Sequence, residues 1–483
     1  MTTAYALLIL LPAILGGVIL VDLCWQARGW QAGGMKIFMG AGLGIGSAAC
    51  LAFFWLLGFG KIGWSFLALE NGIVVLMSGL WLRAWRARGG RLPGIPGQRI
   101  NGWRAGTTLV FTLVFTLVFT LVVAAALAIF TIFTFLNPNG DFDAWTMWNL
   151  RARFLFRLGS GWMAAFSPQV DWMFHADYPL LLPLTNLVTW TLLGQETPRA
   201  PILLAGLFLF CCAGLLTAAL SRRSGSSALL AGVLLLTSPR FLDLAAFQVA
   251  DVPLSFFLLA AVVMGVEAWA DPGSRHGALA LAGLALGLAA WTKNEGSLIL
   301  LAGLLAGGVL LLWRSNWHSY RRQDAAALAV GLGLPLAALL VFKIFIAPPG
   351  DLVGEQTLAG IGQKLADPAR YLTIAAVFRR YLLAPGEYLL PITPLLALYA
   401  LAAGWRVLTK GEQLGLRWAA LALGVTLVGY AAVYLLTPHP LEWHLRYSAD
   451  RLFMQVYPAA LYVLFASLKP PECFWIRQSN SKS

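Results

Sequence analysis

Long apolar runs dominate this chain, and its polar positions are bunched into the short segments between them. Runs near the roughly 20 residues needed to cross a bilayer fall at 3–23, 36–58, 66–82, 107–136, 200–220, 226–246 and 252–269. Others follow at 277–292, 296–313, 325–347, 386–403, 418–437 and 452–468. The pattern predicts an all-α, polytopic transmembrane helical protein of about thirteen spans. One more apolar run, 179–194, is short and carries Pro179 and Pro183. It reads as a juxtamembrane helix in the interface.

Basic residues then orient the spans. Residues 83–104 hold Arg83, Arg86, Arg88, Arg91, Arg99 and Arg104 and no acid, which places them on the cytoplasmic side. If 179–194 does not cross, the other basic loops fall on that side too: Arg222–Arg223, Arg314/Arg321/Arg322, Arg406/Lys410/Arg417 and the tail with Lys469, Arg477 and Lys482. The N-terminus is then periplasmic, the C-terminus cytoplasmic, and the protein sits in a bacterial inner membrane. Met1 to Val21, lacking a basic n-region and a small-residue cleavage site, reads as a first span and not a removed signal. The periplasmic loops are 137–199, 247–251, around 293–295, 348–385 and 438–451.

Composition supports lipid as the main solvent. Only 11% of residues are charged and 59% are hydrophobic, against about 25% charged in soluble domains. The net charge of +13 is accounted for by the orienting loops, and no groove-reading helix or stacking platform accompanies it, so nucleic acid is set aside. Twenty Trp and twelve Tyr suit two interfacial belts. Cys24, Cys50, Cys211, Cys212 and Cys473 show no metal-ligand spacing and no plausible disulfide pairing. The tandem VFTL repeat at 110–121 puts Thr112, Thr116 and Thr120 on one helix face, where helix packing is the expected role. Glu70 and Lys343 lie inside apolar runs, within snorkelling reach of an interface.

Candidate chemistry collects on the periplasmic side. The first loop opens Asn137-Pro-Asn-Gly-Asp141-Phe-Asp143-Ala-Trp145-Thr-Met-Trp148-Asn-Leu-Arg151. On a regular helix Asp143, Met147, Trp148 and Arg151 share roughly one face. An acid at a low-dielectric boundary can act as a general base, and nearby arginine suits a phosphate. Asp141 or Asp143 could equally cap the helix. Charged clusters follow at His175-Ala-Asp177-Tyr178, at Asp251, at Lys293-Asn-Glu295 and at His439 to Arg451, which includes His444 and Arg446. Ionisable groups at span edges are costly unless paired or used. A divalent cation bridging Asp143, Asp251 and a lipid phosphate is compatible with these acids, although no His-x-x-x-His zinc spacing is present.

The segments Asp143-Ala-Trp145-x-x-Trp148, His175-Ala-Asp177-Tyr178-Pro179, Ala250-Asp251-Val-Pro253 and Thr292-Lys293-Asn294-Glu295-Gly296 resemble the C-type (GT-C) polyprenyl-phosphate-dependent integral membrane glycosyltransferases. The nearest branch is family 39-like, with the lipid A aminoarabinose transferase and protein O-mannosyltransferases as cousins. The resemblance implies a shared module over 107–315, an unassigned N-terminal extension over 1–106 and a C-terminal membrane region over 316–483. It implies a polyprenyl-phosphate sugar donor, an envelope lipid, glycan or protein acceptor, and inverting transfer at the periplasmic face. Asp143 would be the catalytic base, with Asp141 sharing or taking that role. Arg151, Lys293, His444, Arg446 and Arg451 would hold the donor phosphate. Asp251, His175, Asp177, Tyr178 and Glu295 would stand near the acceptor or support the reacting groups. Two departures stand out: Ala144 replaces the glutamate that commonly follows the first acid in the cousins, and His175-Ala-Asp177-Tyr178-Pro179 replaces their His-Pro-Pro. A transporter or flippase of lipid-linked sugars is the rival from another class, and would require inverted repeats and ionisable groups at mid-membrane.

Overall fold

The computed structural model describes residues 2–87, 103–167, 169, 175–313, 322–350 and 356–471. The orienting arginines Arg88, Arg91, Arg99, Arg314, Arg321 and Arg477, with Lys482 and Cys473, lie outside those residues. Among the described residues there are eighteen α-helices and no strand, only an isolated antiparallel bridge between Trp405 and Leu468. In chain order they are α1 Thr2–Cys24, α2 Trp30–Phe59, α3 Trp64–Ala87, α4 Trp103–Leu136, α5 Asn149–Leu158 and α6 Leu181–Leu193. Next come α7 Arg199–Ser221, α8 Gly225–Leu236, α9 Pro239–Ala246, α10 Asp251–Ala270, α11 Arg275–Thr292 and α12 Asn294–Trp313. The last are α13 Arg322–Phe345, α14 Leu358–Ala366, α15 Pro368–Leu383, α16 Ile392–Ala403, α17 Lys410–Leu436 and α18 Leu441–Ser467.

Nine of these helices are long and apolar enough to cross a membrane, or eleven if two bent pairs each make one span. The bends have local causes. α8 meets α9 at 62°, where Ser238 caps α9 and Pro239 occupies its first turn, since proline cannot donate the bond that would continue α8. The α15 and α16 segments meet at 82° around Pro385 and Pro391. The other two expected spans are α11, which starts on Arg275 and His276, and α18, whose first half carries Glu442, His444, Arg446, Asp450 and Arg451.

The architecture is built around α10. Eighteen of its twenty residues are buried, Asp251 to Ala268 without a break, as expected of a helix that is apolar all round. It packs against α7, α11, α17 and α18. The short apolar run after the first loop forms α6, of thirteen residues and so about 20 Å long, less than the roughly 30 Å of a hydrocarbon core. It is buried against α1, α2 and α5 rather than lying free at an interface.

The N-terminal helices are stitched to each other at glycines. A Cβ on Gly17 would stand 2.0 Å from the Gly40 carbonyl oxygen, so α1 and α2 touch backbone to backbone, a contact that small residues allow. Asp22 fastens the trio, accepting from Lys36 Nζ at 2.6 Å and from Trp81 Nε1 at 2.8 Å. Glu70 departs from the expected snorkelling. It is 6% exposed, turned against α1, α2 and α6, and has no ion-pair or hydrogen-bond partner among the described residues. Six residues into α3, about 9 Å from its start, its short side chain meets neighbouring helices before it meets water.

Candidate active site

The chain leaves α4 through Asn137-Pro138-Asn139-Gly140, with Gly140 at φ 76°, and then makes a single π-helical turn over Ala144–Trp148 before α5 begins. Such turns insert an extra residue and are frequent at functional sites. The insertion breaks the regular-helix alignment expected for Asp143 and Arg151. Arg151 turns inward, donating to the Ala165 carbonyl at 2.6 Å with its guanidinium 5.2 Å from the Phe166 ring centre. Burial pushes its pKa down to about 10, against the opposing charge of Asp177. Asp143 makes no capping bond to the helix behind it. Its partly exposed carboxylate instead forms an ion pair with Arg451 of α18. The side chain of Asp141 is exposed and has no partner among the described residues.

Arg451 is shared. Its Nε and Nη2 donate to Asp251 Oδ2 at 3.1 and 2.7 Å, while Nη1 faces Asp143. The other oxygen of Asp251 accepts from Lys293 Nζ at 3.1 Å and from Gln455 Nε2 at 2.5 Å. Tyr430 closes the chain, its hydroxyl donating to Gln455 Oε1 at 2.6 Å. Asp251 is 1% exposed and sits in the first turn of α10, where a helix dipole also favours a negative charge. A carboxylate this deeply buried is tolerable only with such a full set of donors.

Lys293 links this network to a second one. It also pairs with Glu295 at 2.7 Å. The next residue, Asn294, donates to Asp177 Oδ2 at 2.7 Å, and Lys343 donates to Asn294 Oδ1 at 2.8 Å and to the Asp177 carbonyl at 2.5 Å. Lys343 therefore does not snorkel; it ties the end of α13 to the first loop. Local packing fixes the Lys293-Asn294-Glu295 turn: a Cβ on Gly296 would lie 1.8 Å from the Ala289 carbonyl oxygen, so α12 can start this close to α11 only with glycine there. Beside Asp177 the rings of His175, Tyr178 and Trp148 stack in sequence, with centres 5.1 and 5.5 Å apart and planes within 15°. His175 holds a left-handed backbone (φ 42°), a conformation uncommon outside glycine. Surrounding protein and the charges of Glu295 and Asp177 keep the Tyr178 phenol well above its usual pKa.

The structure thus brings Asp143, Asp251, Lys293, Glu295 and Arg451 together, with Asp177 and Tyr178 alongside. His444 stands at the edge, its Nδ1 2.8 Å from Thr437 Oγ1. Burial, then His439 and Lys293, push its pKa down to about 4. Arg446 is not part of the network. Five residues before Arg451 places it about 140° around the helix, exposed, with its guanidinium 5.9 Å from the Tyr447 ring centre. Where a divalent cation would bridge Asp143 and Asp251, the Arg451 guanidinium already stands. Among the described residues no three His, Cys, Asp or Glu side chains are grouped to hold a metal.

Sequence reasoning missed several participants. Gln455 is a lone amide in an apolar run, one turn after Arg451 and hence on its face; that spacing was the available signal. A relay of amides was equally unmarked. Asn186 of α6 donates to Asn149 at 3.1 Å, Asn149 to Gln248 at 3.0 Å, and Gln248 to the Pro138 carbonyl at 3.1 Å. Gln248 is buried at φ 58°. The relay braces the turn that carries Asp143 against the turn that leads into Asp251. Asp450 adds a further clamp, pairing with Arg240 of α9 at 2.5 Å, and so helps fix the helix that carries Arg451.

Residues 199–346 match the family model described as dolichyl-phosphate-mannose-protein mannosyltransferase. The stretch runs from α7 through α13 and contains Asp251, Lys293, Asn294, Glu295 and Lys343, leaving Asp143 and Arg451 outside. No curated protein and no solved structure matches the chain. Over these residues, under a third of its length, the chain is similar to the dolichyl-phosphate-mannose-protein mannosyltransferases, a C-type family, and its many apolar spans are consistent with a C-type membrane glycosyltransferase.

Proposed function

We propose that this protein transfers a sugar from a polyprenyl-phosphate donor to a hydroxyl of an envelope acceptor, with inversion, at the periplasmic face of a bacterial inner membrane. Asp143 is the base. As the acceptor oxygen bonds to the anomeric carbon, the bond from that carbon to the phosphate oxygen breaks. Asp143 takes the hydroxyl proton, and polyprenyl phosphate leaves with the electron pair. Phosphate is already a good leaving group, so the chain need supply only a base and cations for the charge that develops.

The observation that carries this reading is the contrast between the two acids on Arg451. Asp251 is sealed in protein and fully bonded; Asp143 is 20% exposed at its side chain and held by one arginine nitrogen. One orients and the other can meet a substrate. Lys293 and Arg451 face three protein carboxylates, so they act on a phosphate from within their ion pairs. Arginine has five N–H donors and lysine three; about two remain on Arg451 and about one on Lys293. Asp143→Asn keeps size and hydrogen bonding but cannot take the proton. Transfer by the purified variant should fall about 10²- to 10⁴-fold with an unchanged melting transition. Near wild-type transfer would remove Asp143 from the role.

The transporter reading draws on one observation, the buried Glu70 of α3, since unpaired intramembrane acids mark ion or substrate paths. It would be favoured if Glu70→Gln abolished the cellular function while Asp143→Asn left it intact.

A further inference from the structure

Far from the carboxylate network, a cleft of about 440 Å³ opens between α10, α11, α12, α13 and α17. Its size falls within the range of small-molecule sites. Glycines make the space. Trp418 of α17 lies against Gly265 and donates its indole N–H to the Gly303 carbonyl at 3.0 Å, which forms the floor. A Cβ on Gly307 would meet only that indole, at 3.8 Å, and one on Gly308 would meet nothing within 4 Å. The wall is apolar, and exposed Leu304 stands along it.

The mouth is charged. Arg275 pairs with Asp324 at 3.0 Å, and Arg322, exposed and without an ion-pair partner among the described residues, stands on the same rim. The rim therefore carries two guanidinium groups and one carboxylate, which Arg275 and, at 3.3 Å, His276 Nε2 already approach. Arg275 starts α11, whose other end adjoins Lys293, so the rim lies about 27 Å along the helix from the network. That is close to the thickness of a hydrocarbon core. The rim therefore falls at the opposite interface, and the apolar cleft runs inward from it.

We propose that this cleft binds an anionic phospholipid, with an acyl chain against Gly303, Gly307 and Trp418 and the phosphate at Arg322 and Arg275. Basic mouths between membrane helices select anionic headgroups, and the guanidinium fork matches phosphate oxygens. A partner helix fits less well: the opening covers only the second half of α12, and an apolar helix offers Arg322 no counter-charge. The site is separate from the proposed transfer reaction and does not depend on it.

Native mass spectrometry of the full chain, delipidated in detergent and titrated with phosphatidylglycerol or phosphatidylcholine, tests the assignment. Wild type should bind one phosphatidylglycerol in preference to phosphatidylcholine. Arg322→Gln, a surface change that spares the fold, should weaken phosphatidylglycerol binding about fivefold. Gly307→Leu, which fills the cleft, should abolish both adducts while keeping a cooperative melting transition. Equal binding of the two lipids, or an undiminished adduct in Gly307→Leu, would overturn the proposal. Should Gly307→Leu fail to fold, Arg322→Gln decides alone: unchanged selectivity refutes it.

Discussion

Asp251 accepts two hydrogen bonds from Arg451, from Nε at 3.1 Å and from Nη2 at 2.7 Å, both on the same carboxylate oxygen. These residues lie 200 positions apart and join the first turn of α10 to the middle of α18. Breaking a buried pair from one side leaves an uncompensated charge, at a cost of about 3–5 kcal/mol. Asp251→Ala should therefore destabilise the protein strongly. Lys293 retains Glu295 and Arg451 retains Asp143, which puts the effect near the lower end of that range. Adding Arg451→Met should recover part of the loss. Melting midpoints of the two single variants and the double variant in detergent check this, and strictly additive losses would show that the two residues are not coupled.

Gln248 joins the two turns that present the acids. Gln248→Ala removes the acceptor for Asn149, whose amide keeps only a 3.4 Å bond to the Asn139 carbonyl, and the donor for the Pro138 carbonyl, a loss of about 0.5–1.5 kcal/mol per hydrogen bond. If the relay positions Asp143, kcat should fall at least tenfold with little change in KM for the lipid donor, and Gln248→Glu should not rescue it, because a carboxylate cannot donate to the Pro138 carbonyl. A purely structural brace would lower the melting midpoint and leave kcat per folded molecule unchanged.

The sequence was most legible where one physical rule dominates. Apolar length specifies the helical membrane class, and the clustering of charge at span edges marks Asp143, Asp251, Lys293, Glu295 and Arg451, which the fold brings together. Pairing was less legible. Arg151 and Arg451 are equivalent as sequence, yet a π-helical turn sends one into the protein while the other bridges two acids. Arg446 shares its neighbourhood in sequence with Arg451 but not its helix face. Glu70 and Lys343 both read as snorkelling groups, because a hydropathy profile records distance from a span end and not which helices stand in between. Gln455 and the amide relay carry no charge, so a search for ionisable clusters passes over them.

His444 gives the pH dependence a sign. Its pKa is depressed to about 4, below the roughly 6.5 of an unfolded histidine, so the folded state keeps the ring neutral. The stability it contributes is fully present above about pH 6.5 and is lost as pH falls through about 4. Between pH 7.5 and 4.5 the wild-type melting midpoint should fall more steeply than that of His444→Gln, which preserves a polar partner for Thr437 but does not titrate. Parallel slopes would assign the acid sensitivity to other groups.

The sidedness of the molecule decides whether the network can meet a periplasmic acceptor at all. In a cysteine-free background, a cysteine at Ser167, next to the loop helices, or at Ala384, between α15 and α16, should react with an impermeant maleimide added to intact cells. One at Gly225, exposed at the start of α8 with nothing within 4 Å of an added Cβ, should react only after the membrane is opened. The contrast rests on the proposed sidedness: if α6, at about 20 Å, does not cross, Arg222 and Arg223 fall on the same side as the other basic loops. Labelling of Gly225→Cys in intact cells would mean that the chain crosses once more before α7. Every later basic loop would then face outward, and the turn at Lys293 would lie in the cytoplasm, on the far side from Asp143. Because Lys293 and Asp143 are both tied to the Asp251–Arg451 pair, that outcome would contradict the fold itself as well as the assignment of the periplasmic face.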